Sequence, residues 1–205
     1  MKQKDYDKLL NVKTEGDQKG FSKSLHYHRY EATPYRALEE LFNNYQLRIS
    51  DRIVDFGCGK GRLIFYINHF FNATVTGIEM SERLYQEAVE NRINYFKKYN
   101  KRHDQIHLHC CLAEDYRIDP SDNRFYFFNP FSIQVFMNIV NNILVSVEDS
   151  EREVDLVLYY PSEDYIYFLE NDTSFELKEE VILPGLYEDN ANERFLIYRL
   201  AYLGA

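Results

Sequence analysis

At 205 residues, with 45% hydrophobic and 28% charged side chains, the chain has the length of one ordinary domain and enough apolar material for a sizeable core. The formal net charge of −9 is uneven: residues 1–36 carry eight Lys/Arg against five Asp/Glu, and residues 148–205 four against fifteen. That balance excludes a broad basic footprint for duplex nucleic acid, and no apolar run approaches the roughly 18 residues of a membrane span.

Residues 1–33 show no clear periodicity and are rich in Lys, Asp, Gln, Gly and Ser. They are expected to form a partly flexible N-terminal arm, ordering only near Phe21 to Tyr30, ahead of a single domain over 34–205. The polar start, Met1-Lys2-Gln3-Lys4-Asp5, lacks a signal-peptide core. Three cysteines without a C-x-x-C pair read as reduced thiols in a cytoplasmic protein, with no metal site predicted. Thr33 is placed to cap a helix that begins at Pro34 and carries apolar residues at helical spacing through Phe42.

From there strands and helices alternate. Strand 53–57 leads to helix 60–70, strand 74–79 to a helix from Ser81 to about Tyr99 with Ser81 as N-cap, and strand 105–111 to a loop over 112–123. Strand 125–128 leads to helix 132–146, and strand 154–160 to a short helix near 163–169. Strands 175–183 and 194–202 close the chain around Pro184-Gly185 and a polar loop. Repeated strand–helix units predict a parallel sheet with helices on both faces, and the last two strands an antiparallel hairpin. In such a sheet ligands bind over the C-terminal strand ends, beside the first strand.

The residues at those ends carry the chemistry. Ile53-Val54-Asp55-Phe56-Gly57-Cys58-Gly59-Lys60-Gly61-Arg62 is a strand, a tight turn and a helix start. Its glycines allow positive φ and close ligand approach, and the helix N-terminus presents free N–H groups. The dinucleotide fingerprint needs G-x-G-x-x-G, whereas here Arg62 stands at the third-glycine place and the spacing is G-x-G-x-G. Lys60 and Arg62 could meet a ligand carboxylate, but such residues are more often exposed, and they are read so. The next strand, Thr74-Val75-Thr76-Gly77-Ile78-Glu79-Met80, ends in an acid about 20 residues after the turn, where a carboxylate can accept both hydroxyls of a ribose. Phe125-Tyr126-Phe127-Phe128-Asn129-Pro130-Phe131 is an apolar strand ending in Asn-Pro-Phe. An Asn oxygen there can accept the hydrogens of an amino group and bias its nitrogen toward tetrahedral geometry, proline keeps the turn rigid, and the aromatic ring can stack on a planar substrate.

Together these segments resemble class I S-adenosylmethionine-dependent methyltransferases, over residues 50 to 203. The glycine turn is similar to their motif I and Asn129-Pro130-Phe131 to motif IV, (Asp/Asn)-Pro-Pro-(Tyr/Phe), of enzymes acting on amino or amide nitrogen. The combination with Gly77-Ile78-Glu79-Met80-Ser81 looks like a group of small bacterial proteins of this type. The resemblance implies a Rossmann-like α/β fold with a seven-stranded, mostly parallel sheet ordered 3-2-1-4-5-7-6 and a C-terminal antiparallel hairpin. It implies a cofactor, S-adenosylmethionine, with S-adenosylhomocysteine as product. Asp55 would orient the turn and the methionine amino group, with Gly57, Cys58, Gly59 and Gly61 forming the cradle. Glu79, followed by Met80, would hold the ribose, and either Glu114 or backbone groups near Ala113 alone would meet the adenine. Thr33 and Tyr35, around the start of the first helix, would line the methionine end, and Asn129 would touch both cofactor and acceptor. Asn129, Pro130 and Phe131 are the catalytic candidates. Two departures stand out: the second proline of motif IV is missing, and Leu112 replaces the acid of the family's Gly-Asp-Ala motif. The expected reaction is direct, in-line methyl transfer to a nitrogen acceptor, which could be a small molecule, a protein side chain or a locally recognised nucleic acid. The alternative is a non-catalytic module that senses S-adenosylmethionine or S-adenosylhomocysteine.

Overall fold

The computed structural model describes residues 3–16, 31–99 and 101–200. Its centre is one seven-stranded sheet built from β1 (Arg52–Phe56), β2 (Thr74–Glu79), β3 (Ile106–Cys110), β4 (Arg124–Phe127), β5 (Val154–Tyr159), β6 (Glu176–Ile182) and β7 (Arg194–Leu200). The strands lie in the order β3-β2-β1-β4-β5-β7-β6. β1 to β5 pair in parallel, and β7 runs antiparallel between β5 and β6. This is the order that the family resemblance implies, and the closing hairpin is the one expected from the strand pattern.

The helices are α1 (Gln3–Leu10), α2 (Tyr35–Asn44), α3 (Arg62–Phe71), α4 (Glu82–Lys98), α5 (Ile133–Asp149) and α6 (Glu163–Asp172). Successive strand side chains point to opposite faces, and the core divides accordingly. Ile53, Val75, Tyr126, Val157 and Ile197 pack with α1 to α4. Val54, Ile78, Phe125, Phe127, Leu156 and Leu158 pack with α5 and α6. Both faces being covered, β4 and β5 are buried along their whole length, which is why they read as continuous apolar runs.

Two expectations at the N-terminus are corrected. The stretch read as aperiodic contains α1, an eight-residue helix that buries Tyr6 and Leu10. Its end is a left-handed turn at Asn11 (φ 58), closed by the Val12 amide donating to the Asp7 carbonyl at 2.9 Å. Thr33 does not cap α2. Pro34 directly precedes that helix, its carbonyl taking the amides of Ala37 and Leu38, while the Thr33 hydroxyl pairs with the Tyr126 hydroxyl at 2.7 Å in the interior. The expected ordering near Phe21 to Tyr30 lies outside the described residues. Ser81 does cap α4, its hydroxyl accepting from the Leu84 amide.

Candidate functional site

The turn after β1 hangs on β2. The amides of Gly57 and Cys58 both donate to the Ile78 carbonyl, at 2.9 and 3.0 Å. Glu79 completes the attachment: one carboxylate oxygen accepts from the Gly59 amide at 2.9 Å and the other from the Ser81 amide at 2.7 Å. The turn and the acid 20 residues later are thus one unit. Burial pushes the Glu79 carboxyl up, and the amides of Ser81, Gly59 and Met80 pull it back toward the charged form.

Gly57 has φ 82, and a Cβ there would stand 3.0 Å from Pro130 Cβ. Only glycine allows both the left-handed backbone and that contact, so the turn and the Asn-Pro step meet. Behind the turn, β2 and α3 close in at Gly77, where a Cβ would collide with Ile64 and lie 2.7 Å from Cys58 Sγ. Cys58 is buried, and burial raises its thiol well above the ordinary value.

Asp55, on β1 directly below, is buried and receives no hydrogen bond among the described residues. Burial, reinforced by the charge of Glu79, lifts its carboxyl to about 8. A cationic neighbour would draw such a carboxyl back to its charged form.

Lys60 and Arg62 are not exposed, contrary to expectation; both are buried. Lys60 pairs with Glu87 at 2.9 Å and donates to the Glu15 carbonyl. Arg62 donates to Thr14 Oγ1 at 2.7 Å, to Gln3 Oε1 and to the carbonyls of Ala32 and Thr33, with its guanidinium 4.6 Å from the Tyr35 ring centre. Asp7 accepts from the Thr14 amide and hydroxyl and from the Tyr35 hydroxyl. The N-terminal segment is therefore fastened to the residue that starts α3. The only sequence signal was one arginine heading a helix whose first turns are otherwise apolar.

The other candidates divide. Thr33 reaches the strand ends through Tyr126, which pairs in register with Asp55. Tyr35 is enclosed among Tyr6, Asp7 and Arg62, with no open side toward the strand ends. Met80 and Leu112 are exposed, Ala113 is buried, and Glu114 is half-buried, its carbonyl taking the Asn142 amide. Asn129 has a left-handed backbone (φ 37), which its side chain tolerates better than most. Phe131 is only 3% exposed and packs in the α5–α6 core, its carbonyl accepting from the Tyr165 hydroxyl at 2.6 Å. Its ring is therefore not an open stacking surface.

No protein-family model matches the sequence, and no curated protein matches it. Solved structures do match. A putative RNA methyltransferase from Pyrococcus horikoshii is 14% identical, with 98% of each chain covered and a TM-score of 0.60. An RNA methyltransferase from Salinibacter ruber, crystallised with S-adenosyl-L-homocysteine, is 14% identical over 84% of this chain and 94% of that one, with a TM-score of 0.55.

The fold is that of the class I methyltransferases. A geranyl diphosphate C-methyltransferase from Streptomyces coelicolor, 11% identical over 82% of this chain and 79% of that one, gives the same TM-score of 0.55. Proteins of this fold therefore serve unlike acceptors, and the fold alone names none. Counted without a gap from Asn129, Phe131 falls on the second-proline place of motif IV and Ser132, the half-buried residue ahead of α5, on the aromatic one.

Proposed function

We propose that the chain is an S-adenosylmethionine-dependent methyltransferase acting on a nitrogen acceptor. What supports the reading is one convergence at the C-terminal strand edge. Gly57 lies against Pro130, Gly59 is bonded to Glu79, and the buried Asp55 carboxyl beside them has no hydrogen-bond donor among the described residues. Neighbours of the fold crystallised with S-adenosylhomocysteine fit the same cofactor.

The cofactor would supply an electrophilic methyl group on a sulfonium that leaves as a neutral thioether. Asp55 would take its ammonium end. Glu79 would turn one oxygen from the backbone to the ribose hydroxyls, and the turn of Gly57, Cys58, Gly59 and Gly61 would let the ligand lie close. Met80, Ala113 and Glu114 flank the adenine side. Thr33 closes the opposite end through Tyr126. Asn129 Oδ1 would accept a hydrogen from the acceptor nitrogen, directing its lone pair at the methyl carbon. The N–C bond would form as the C–S bond breaks, and the nitrogen would release a proton to solvent. The chain's contribution is chiefly alignment.

Calorimetric titration with S-adenosylmethionine and S-adenosylhomocysteine tests this. Micromolar binding that collapses in Glu79→Ala, with melting run alongside because that acid also holds the turn, supports the site. Absence of binding to the wild-type protein overturns it.

The buried ring of Phe131 favours a second reading, a binding module without turnover. Offered a bacterial lysate, an enzyme consumes labelled methyl donor and a sensor leaves it intact.

A further inference from the structure

The neighbouring strands β4 and β5, whose last register pair is Phe127–Leu158, each run two residues further into a non-glycine residue of left-handed backbone: Asn129 (φ 37) and Tyr160 (φ 52). For asparagine that conformation is common at turns. For tyrosine it is strained, and strained backbone at a ligand-facing edge persists where it places a side chain usefully.

Here the placement is visible. Along β5, Leu156 and Leu158 belong to the α5–α6 core, and Val157 and Tyr159 to the opposite one. Plain alternation would send Tyr160 to the α5–α6 side. Instead it packs beside Tyr159, ring centres 6.3 Å apart at 74°. The positive φ accounts for the reversal. The ring is then pinned from a second element: the Asn190 side-chain amide, in the β6–β7 connection, donates to Tyr160 Oη at 2.7 Å, and the Tyr160 amide donates to the Arg194 carbonyl at 3.1 Å. Phe128, Asn129, Pro130 and Tyr160 are all half-buried, at the ends of these two neighbouring strands. The Phe128 ring leans on Tyr159 at 4.5 Å and backs this edge.

We infer that Tyr160 is the stacking wall of the acceptor pocket, and that the acceptor is a planar, nitrogen-bearing heteroaromatic ring of the nucleobase class. The ring lies on Tyr160 while Asn129 engages its amino nitrogen. This takes over the stacking role that the buried Phe131 cannot fill, and it rests on the methyltransferase reading.

The test uses 2-aminopurine riboside, a fluorescent purine quenched by stacking, in a protein without tryptophan. Wild-type protein is first saturated with S-adenosylhomocysteine so that the adenine pocket is filled. Quenching should then saturate. Tyr160→Phe should bind within about twofold of wild type, and Tyr160→Ala and Tyr160→Gly about tenfold or more weaker, as expected for loss of one base–aromatic stack. Tyr160→Gly is decisive because glycine relieves the positive φ, so a weakened complex in a protein that melts no lower than wild type cannot be a folding defect. Unquenched probe with wild type, or equal quenching by Tyr160→Gly, overturns the inference. A silent calorimetric titration with S-adenosylhomocysteine overturns the methyltransferase reading itself, and with it this one.

Discussion

At the scale of residues, the group with the clearest consequence is Asp55. Its carboxyl is lifted from 3.8 to about 8, by burial first and by Glu79 second. Below the ordinary value both folded and unfolded chains hold the proton. Between the two values only the folded chain does, so stability falls as pH rises toward 8 and levels off above it. Asp55→Asn removes that slope. Across pH 4 to 8 the variant should therefore gain on the wild type by on the order of a few kcal/mol, read from denaturant melts. A cationic ligand reverses the preference. Cofactor binding at neutral pH should release a proton, seen as a binding heat that varies with the ionisation enthalpy of the buffer. Asn129 carries a different expectation. Asn129→Gly keeps the left-handed backbone, so S-adenosylhomocysteine affinity should hold while methyl transfer slows roughly 100-fold, the scale for losing one aligned hydrogen-bonding group. Loss of cofactor binding with nothing else changed would remove its catalytic role.

At the scale of elements, the fastening of the N-terminal segment to α3 is the addition that patterning missed. The alternation of strands and helices and the Ser81 cap were legible, because each follows from local periodicity or from a short polar side chain at a helix start; the sheet order was legible only through the family resemblance. α1 was not. It is short and carries Lys4, Asp5, Asp7 and Lys8, and it is held by Tyr6 and Leu10 buried against distant helices. Its one local mark was Asn11 in the left-handed turn. The burial of Arg62 was illegible for the same reason, since its partners Gln3, Thr14 and Thr33 lie 29 to 59 residues away in sequence. The glycine turn, Glu79 and Asn129 stood out as candidates because motif spacing marks strand ends, whereas the reversal at Tyr160 depends on a backbone angle that no residue type announces. Arg62→Met keeps the stem and deletes the donors. It should cost about 2–3 kcal/mol, lowering the melting temperature by roughly 5–10 °C. The segment before Pro34 should become the first site of proteolysis.

At the scale of the whole molecule, the ion cluster around Asp155 and the proposed cofactor site lie at opposite ends of the sheet. Near the start of β5, Asp155 is fully buried. Burial by itself would raise its carboxyl, but hydrogen bonds from Arg199 and Tyr45 and the charge of Arg124 hold it below the usual range. Arg199 grips it with two nitrogens at 2.7 and 2.9 Å, and Tyr45 donates at 2.6 Å. This ties α2 and the closing hairpin to the parallel strands. Asp155→Ala removes the charged acceptor shared by Arg199 and Tyr45, though Arg199 keeps Glu153 and Arg124 keeps Asp51; it should cost about 2–3 kcal/mol, while cofactor affinity at the far strand ends stays unchanged. A matching drop in affinity would show that the two ends are coupled.

The thiol of Cys58 gives the glycine turn a clock. It is sealed behind Gly77 and Ile64 and held in its unreactive protonated form. A thiol reagent can therefore reach it only in the moments when the turn lifts off β2. The rate of its alkylation counts those moments, and a ligand that settles on the turn must slow the count.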